Sequence, residues 1–174
     1  MSKLYVNNIY SKTGAAEAIN IQSDGDVSFT GNVLTPKRIH VRVIGDGSSY
    51  VNHDAGDPLP MTVIQEDGDG NGASYYNTST RKFTAPLTGI YLTGFSVLIQ
   101  SSTAVNFYLY KDTGSGAVVY NRFYQPSNRG WFATTSLLLN AGDVIYWSQG
   151  VDSADVHAGD GTGTYSHVFF THLG

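Results

Sequence analysis

The chain has 174 residues, enough for one well-cored domain with a small appendage and too few for two full domains. Hydrophobic residues make up 41% and charged residues only 14%, with 12 Tyr, 8 Phe and 20 Gly, which excludes general disorder and favours short pleated strands joined by glycine turns. A formal net charge of −4 argues against a nucleic-acid-binding face, and the absence of cysteine excludes a disulfide scaffold, a thiolate metal site and a cysteine nucleophile.

Taken in chain order, MSKLYVNNIYSKTG lacks the apolar run of a signal peptide. No later stretch approaches membrane-spanning length. A soluble product made in the cytoplasm is therefore expected. LYVNNIYS is a short β-prone run, and AINIQSDGDVSFTGN alternates Ile19, Ile21, Val27 and Phe29 around a Ser-Asp-Gly turn. That is a hairpin pattern. A lone hairpin is marginal in water, so residues 1–38 read as an attachment segment that needs a partner surface.

From Ile39 onward, strand-sized runs alternate with Gly, Asp, Ser and Pro clusters. Strands are expected at 39–44, 61–65, 74–76, 81–84, 89–100, 104–111, 117–124, 131–139, 143–149 and 165–173. No segment carries a helical period. The predicted class is all-β, an antiparallel sandwich or jelly roll filling residues 39–174.

The long strands reach beyond the fold. In GIYLTGFSVLIQ one face carries Ile90, Leu92 and Leu98, and the other carries Tyr91, Phe95, Val97 and Ile99. In YSHVFFTHL, Val168 and Phe170 alternate with Phe169 and Leu173. A sheet with one wet face alternates apolar and polar residues. Here both faces are apolar, so a second subunit is expected over one of them. Tyr91, Phe95, Val97, Phe169 and Leu173 are the expected interface.

Catalytic chemistry finds little support. His40, His53, His157, His167 and His172 form no metal-ligand pair on a helix, and no phosphate loop or Gly-x-Ser-x-Gly elbow occurs. His167 and His172 fall on opposite faces of one strand. Asp152, Asp155, His157 and Asp160 cluster in a polar segment that reads as a solvated hairpin tip. No carboxylate pair has the spacing of a polysaccharide depolymerase. The protein is expected not to be an enzyme.

QEDGDGNG places Asp67, Asp69 and Asn71 at the first, third and fifth positions of a calcium loop. Position twelve is Thr78, so the bidentate Glu of that motif is missing. The stretch reads as a polar turn, with a looser Ca²⁺ site from Asp67, Asp69 and Asn71 as the alternative. Recognition through aromatic side chains is the stronger reading. Tyr120, Arg122, Tyr124, Arg129, Trp131 and Trp147 are the candidate contacts with a receptor or partner, whereas Phe123 and Phe132 read as core.

SYYNTSTRKFTAPLTGIYLTGFSVL resembles the segment that defines complement-type globular heads, relatives of the tumour-necrosis-factor jelly roll. The matching residues are Tyr76, Asn77, Thr80, Lys82, Phe83, Thr84, Ala85, Pro86, Gly89 and Tyr91. NFYLYKDT, SLLLNAGDVIYW and SHVFFTHLG resemble the family's later strands in the right order. Arg81 stands where Gly is usual. The resemblance implies a jelly roll of about ten antiparallel strands in two sheets, assembled as a homotrimer. KLYVNNIYSK and INIQSDGDVSFTGNV resemble the β-rich leaders of bacteriophage fibre and virion proteins. Together these resemblances imply a virion protein, with a trimeric fibre or tip domain recognising a host-surface glycan or protein. The alternative is a trimeric capsid or tail decoration protein bound to other virion proteins through residues 1–38.

Overall fold

The computed structural model describes residues 8–10, 17–21, 27–29, 38–47, 50–100, 104–125, 130–150, 154–159 and 165–174. The chain divides into two compact units, Met1–Lys37 and Arg38–Gly174.

In the first unit, β1 (Asn8–Tyr10), β2 (Glu17–Ile21) and β3 (Val27–Phe29) form an antiparallel sheet in that order. The predicted hairpin is β2–β3, and β1 adds a third strand. Ile19 pairs with both Ile9 and Phe29, and Ile21 pairs with Val27. Asn20 pairs with both Asn8 and Ser28.

The second unit is a two-sheet sandwich. Its elements are β4 (His40–Ile44), β5 (Tyr50–His53), β6 (Val63–Asp67), α1 (Gly72–Tyr75), β7 (Tyr76–Asn77), β8 (Lys82–Thr84) and β9 (Gly89–Gln100), followed by β10 (Val105–Asp112), β11 (Ala117–Gln125), β12 (Gly130–Leu139), β13 (Val144–Gln149), β14 (Ala154–His157) and β15 (His167–His172). Sheet I runs β6-β4-β15-β9-β12, and β5 and β14 extend it from the last two residues of β9. Sheet II runs β11-β10-β13-β8-β7. All of these pairings are antiparallel.

The core fills the space between the sheets through the alternation that period two imposes. Sheet I sends in Val41, Val43, Tyr91, Phe95, Val97, Leu137, Leu139, Val168 and Phe170, and sheet II sends in Phe83, Phe107, Leu109, Ile145 and Trp147. Rings meet across the gap. Phe83 stacks on Phe170 with centroids 4.6 Å apart, and Phe95 meets Trp147 edge-on at 4.8 Å. Such pairs add about 0.5–1.5 kcal/mol each beyond the area they bury.

Tyr91, Phe95 and Val97 are thus core residues, 0–1% exposed. This corrects their assignment to a subunit interface, because their side chains have no surface to offer a neighbour. Ile90, Leu92 and Leu98 hold the outward face instead. The predicted strand at 74–76 is also corrected: a one-turn helix occupies Gly72–Tyr75 before β7 begins. Asp67 forces that turn by accepting hydrogen bonds from the Gly70 N–H (2.8 Å) and the Gly72 N–H (2.7 Å).

The turn between β12 and β13 carries a buried ion pair. Gly142 takes a φ of 93°, which favours glycine. Asp143 accepts hydrogen bonds from the Asn140 N–H (2.9 Å) and from Lys111 Nζ (2.9 Å). Burial would raise the Asp143 carboxyl, but these two donors and the charge on Lys111 outweigh it and hold its pKa below the usual aspartate value. A depressed carboxylate stabilises the fold above its unfolded pKa, and the contribution is lost as the pH falls through the folded value. Lys111→Met is therefore expected to cost about 1–3 kcal/mol at neutral pH. Denaturant titrations should show the gap to the parent closing below about pH 4, near the unfolded aspartate pKa. Lys111 Nζ also donates to the Leu138 carbonyl at 3.0 Å, so it is a gap undiminished at pH 2 that would refute the ion-pair account.

Candidate functional site

The outer face of sheet II carries a ladder of side chains that the sandwich does not need for its core. Arg122 on β11 opposes Tyr108 on β10, and its guanidinium lies 5.7 Å from that ring's centroid. Tyr108 neighbours Tyr110 at 6.0 Å, and Tyr110 stacks on Tyr146 of β13 at 5.0 Å with the planes 9° apart. Lys82 of β8 closes the row, its Nζ 4.6 Å above the Tyr146 ring. A cation therefore stands over an aromatic face at each end. The Tyr146 phenol is shifted up, first by burial and then by Tyr110, Asp112 and Asp57. Asp112 and Asp57 thus act on the ring that lies beneath Lys82. At the Arg122 end, Nε donates to Asn106 Oδ1 (3.1 Å), and no carboxylate among the described residues lies within ion-pair distance.

The outer face of sheet I divides into two halves. Toward β12 it is apolar, formed by Leu138 opposite Ile90, Ser136 opposite Leu92, and Gly130 opposite Leu98. Phe132 and Leu173 extend the patch, and Phe169 of β15 lies across Gly94, where a Cβ would come within 2.7 Å of its ring. Four of these residues are strongly exposed: Ile90 at 49%, Leu173 at 59%, Leu138 at 61% and Phe132 at 74%. Toward β6 the face is polar. Glu66 accepts from Arg42 Nη1 (3.1 Å) and lies 3.3 Å from His40 Nε2. His40 Nδ1 meets Thr171 Oγ1 at 2.7 Å, Arg42 Nη1 also donates to Gln65, and Arg42 Nη2 approaches His167 Nδ1 at 3.4 Å. Burial alone would raise the Glu66 carboxyl, yet the hydrogen bonds and charges of His40 and Arg42 bring its pKa below normal.

The predicted contact residues scatter over these surfaces. Tyr120 (48% exposed), Arg122 and Tyr124 (62%) are outward on β11. Trp147 is core, 2% exposed, with Nε1 donating to Thr93 Oγ1 at 2.9 Å. That corrects its assignment as a contact. Trp131 is half-buried against the core on sheet I, and its indole N–H has no hydrogen-bond partner among the described residues. Phe132, expected in the core, is exposed on the opposite face of the same strand, whereas Phe123 packs against Trp147 at 5.6 Å. Arg129, Asp152 and Asp160 lie outside the described residues. Phe169 is half-buried on the outward face of sheet I, beside the exposed Leu173.

The acidic loop turns its oxygens on itself. Asp67 holds the two amides already described. Asp69 accepts from the Asn71 N–H (3.0 Å) and the Tyr75 hydroxyl (2.7 Å). Burial would raise Asp69, but these donors bring it below the aspartate norm, and the same bond is the main reason Tyr75 is shifted up. Among the described residues, no group of three or more His, Cys, Asp and Glu side chains is arranged to hold a metal. His157 is enclosed by rings, meeting Tyr50 at 5.0 Å and Tyr165 at 5.3 Å, both edge-on.

Many solved structures share this fold, and the sequence itself decides the family. The model of the C1q domain matches residues 53–170. The chain belongs to the C1q-domain family. Similar structures include the Eiger TNF from S. frugiperda, with a TM-score of 0.63 and 15% identity over 79% of this chain and 94% of that one. The globular domain of zebrafish complement 1qA gives 0.57 and 13% over 79% and 98%, and murine APRIL gives 0.59 and 13% over 79% and 100%. No curated protein matches the sequence. The C1q match spans β6 to β14 entire and most of β15, so both outer faces lie largely inside it, while β1–β4 precede it. Sequence reasoning missed Lys82, Tyr108, Tyr110 and Tyr146 as a row on the outward side of sheet II in this C1q domain. The signal is present in the chain: Tyr108 and Tyr110 alternate with Phe107 and Leu109, and Tyr146 lies between Ile145 and Trp147.

Proposed function

We propose that this C1q-domain protein is a structural protein of a bacteriophage virion, a trimeric fibre or tip domain that recognises a glycan or protein on the host surface. Residues 1–38 attach it to other virion proteins. It is made in the host cytoplasm and acts by binding, not by catalysis. The observation that carries this reading is the apolar half of the outer face of sheet I. Seven apolar side chains, Ile90, Leu92, Leu98, Phe132, Leu138, Phe169 and Leu173, form one strip over β12, β9 and β15. A strip of this kind on a folded domain marks an association surface, and two further copies about a threefold axis cover it in each subunit. That leaves the tyrosine ladder of sheet II as the surface offered to a partner.

The test combines mass with adsorption. Light scattering on the full chain at micromolar concentration is expected to return three times the chain mass. The labelled full chain is expected to coat host cells and to compete with phage for them. A chain that ignores cells but binds virions lacking it is a capsid or tail decoration protein instead.

A further inference from the structure

We propose that the Arg122 end of the tyrosine ladder binds an anionic glycan. The guanidinium pairs with a carboxylate or phosphate on the sugar chain, and Tyr124 covers the face of an adjoining sugar ring. This rests on the recognition reading above and names the chemical class of its ligand.

The geometry is a square of two neighbouring cross-strand pairs on one face of sheet II. Arg122 opposes Tyr108, and Tyr124 opposes Asn106. Three features set this square apart from an ordinary polar surface. First, Arg122 is held in place without being neutralised. Its Nε is committed to Asn106 Oδ1, its plane rests over Tyr108, and no carboxylate among the described residues pairs with it. Both terminal nitrogens therefore remain as a fork of donors matched to a two-oxygen anion. The rotamer entropy that a free arginine loses on binding is already partly lost here.

Second, Tyr124 lies one row along the same face of β11, about 7 Å away, and stacks on no other described ring. Its open face suits the C–H side of a sugar, and its hydroxyl suits the sugar's polar rim. Tyr110 and Tyr146 serve a different purpose, because they cover each other. Third, the protein as a whole is anionic, with 14 acidic against 10 basic residues. An arginine kept unpaired on the outer face of such a chain has local complementarity to an anion that the net charge does not supply. At the far end of the ladder Asp57 and Asp112 add negative charge at Tyr146, the ring beneath Lys82, and that ring is already covered by Tyr110. The anion site therefore belongs to the Arg122 end. The square lies on the open face of a sheet, and its one fixed cation, one free ring and one amide match the groups of a charged sugar.

The experiment uses the full chain and four immobilised polymers. Polygalacturonate and phosphomannan are the anionic probes; methyl-esterified polygalacturonate and mannan are their neutral counterparts. Retention is expected on at least one anionic polymer and on neither neutral one, weakening as salt is raised. Arg122→Ala is expected to weaken it at least about tenfold. Arg122→Lys, which keeps the charge but loses the fork, is expected to weaken it about threefold or more. Both variants change an exposed side chain, so their melting temperatures should match the parent. Equal retention of neutral and anionic polymers, or an Arg122→Ala variant that binds like the parent, overturns the proposal. If the chain coats host cells yet ignores both anionic polymers, the glycan assignment fails and the receptor is a protein. Retention that depends on Arg122 without any adsorption to cells upholds the sugar site and sinks the host-recognition reading instead.

Discussion

Trp147→Ala is expected to cost about 3–5 kcal/mol of folding stability, the usual range for deleting a large aromatic from a packed core. The indole stands where the two sheets meet. Its ring meets Phe95 at 4.8 Å and Phe123 at 5.6 Å, and its N–H donates to Thr93 Oγ1, which in turn donates to the Phe169 carbonyl at 2.9 Å. Alanine therefore opens a cavity between β9, β11 and β13 and leaves part of a buried hydrogen-bond chain unmade. A loss of this size is a large fraction of the stability of any single domain, so the variant should melt far below the parent or fail to accumulate. Tyr124→Ala is the matched control. It removes a ring of similar size from an exposed position and should change stability by less than about 0.5 kcal/mol. Equilibrium unfolding in urea measures both. A Trp147→Ala protein as stable as the parent would return this residue to the surface and contradict the register in which β13 pairs with β10 and β8.

How much of the fold and the candidate site is legible in the sequence depends on what alternation can say. The residue-by-residue extent of β9, Gly89–Gln100, is readable because twelve residues of pleated pattern lie between a proline turn and polar residues. Alternation separates a strand into two faces but does not say which face meets the second sheet. In β9 both sets are apolar, and the bulkier set, Tyr91, Phe95 and Val97, belongs inside because the gap between two sheets needs volume. The set with Ile90, Leu92 and Leu98 remains outside. Trp147 misleads for a related reason: an aromatic with a polar edge suits a binding surface, yet Thr93 satisfies that edge internally. The strands Tyr50–His53 and Ala154–His157 go unpredicted because YVNH and ADVH are short, polar runs whose pairing partners lie about a hundred residues apart in the chain. Nothing local marks such a pair. The one-turn helix at Gly72–Tyr75 is hidden by the β-prone Tyr75-Tyr76, since the Asp67 carboxylate that organises it acts from five residues away. The ladder of sheet II needs the cross-strand register, because Tyr110 and Tyr146 become neighbours only when β10 pairs with β13.

Ile90→Asp combined with Leu138→Asp is expected to convert the assembly to monomers without unfolding the domain. The two residues oppose each other across β9 and β12, and Leu173 lies beside Ile90, held by the Leu173 N–H to Ile90 carbonyl bond of 2.8 Å. Within one chain both side chains are about half exposed or more, so carboxylates there stay hydrated and the stability of the single domain should move by less than about 1 kcal/mol. In an assembly that covers the strip, the same carboxylates lose their water with no described cation on β9 or β12 to pair with them. Stripping an unpaired polar or charged group of water costs several kcal/mol, and about 1.4 kcal/mol is a factor of ten in dissociation constant. A closed ring repeats the change at every interface, so the penalties compound and association at micromolar concentration should be lost. Light scattering supplies the mass, and a denaturant titration below the association range supplies the domain stability. Phe95→Asp provides the opposite control, since it buries a charge in the core and should unfold the chain at any concentration. If the double variant keeps the parent's oligomeric mass, the strip is not the interface and the assembly must be sought on the polar half of the sheet around Arg42 and Glu66.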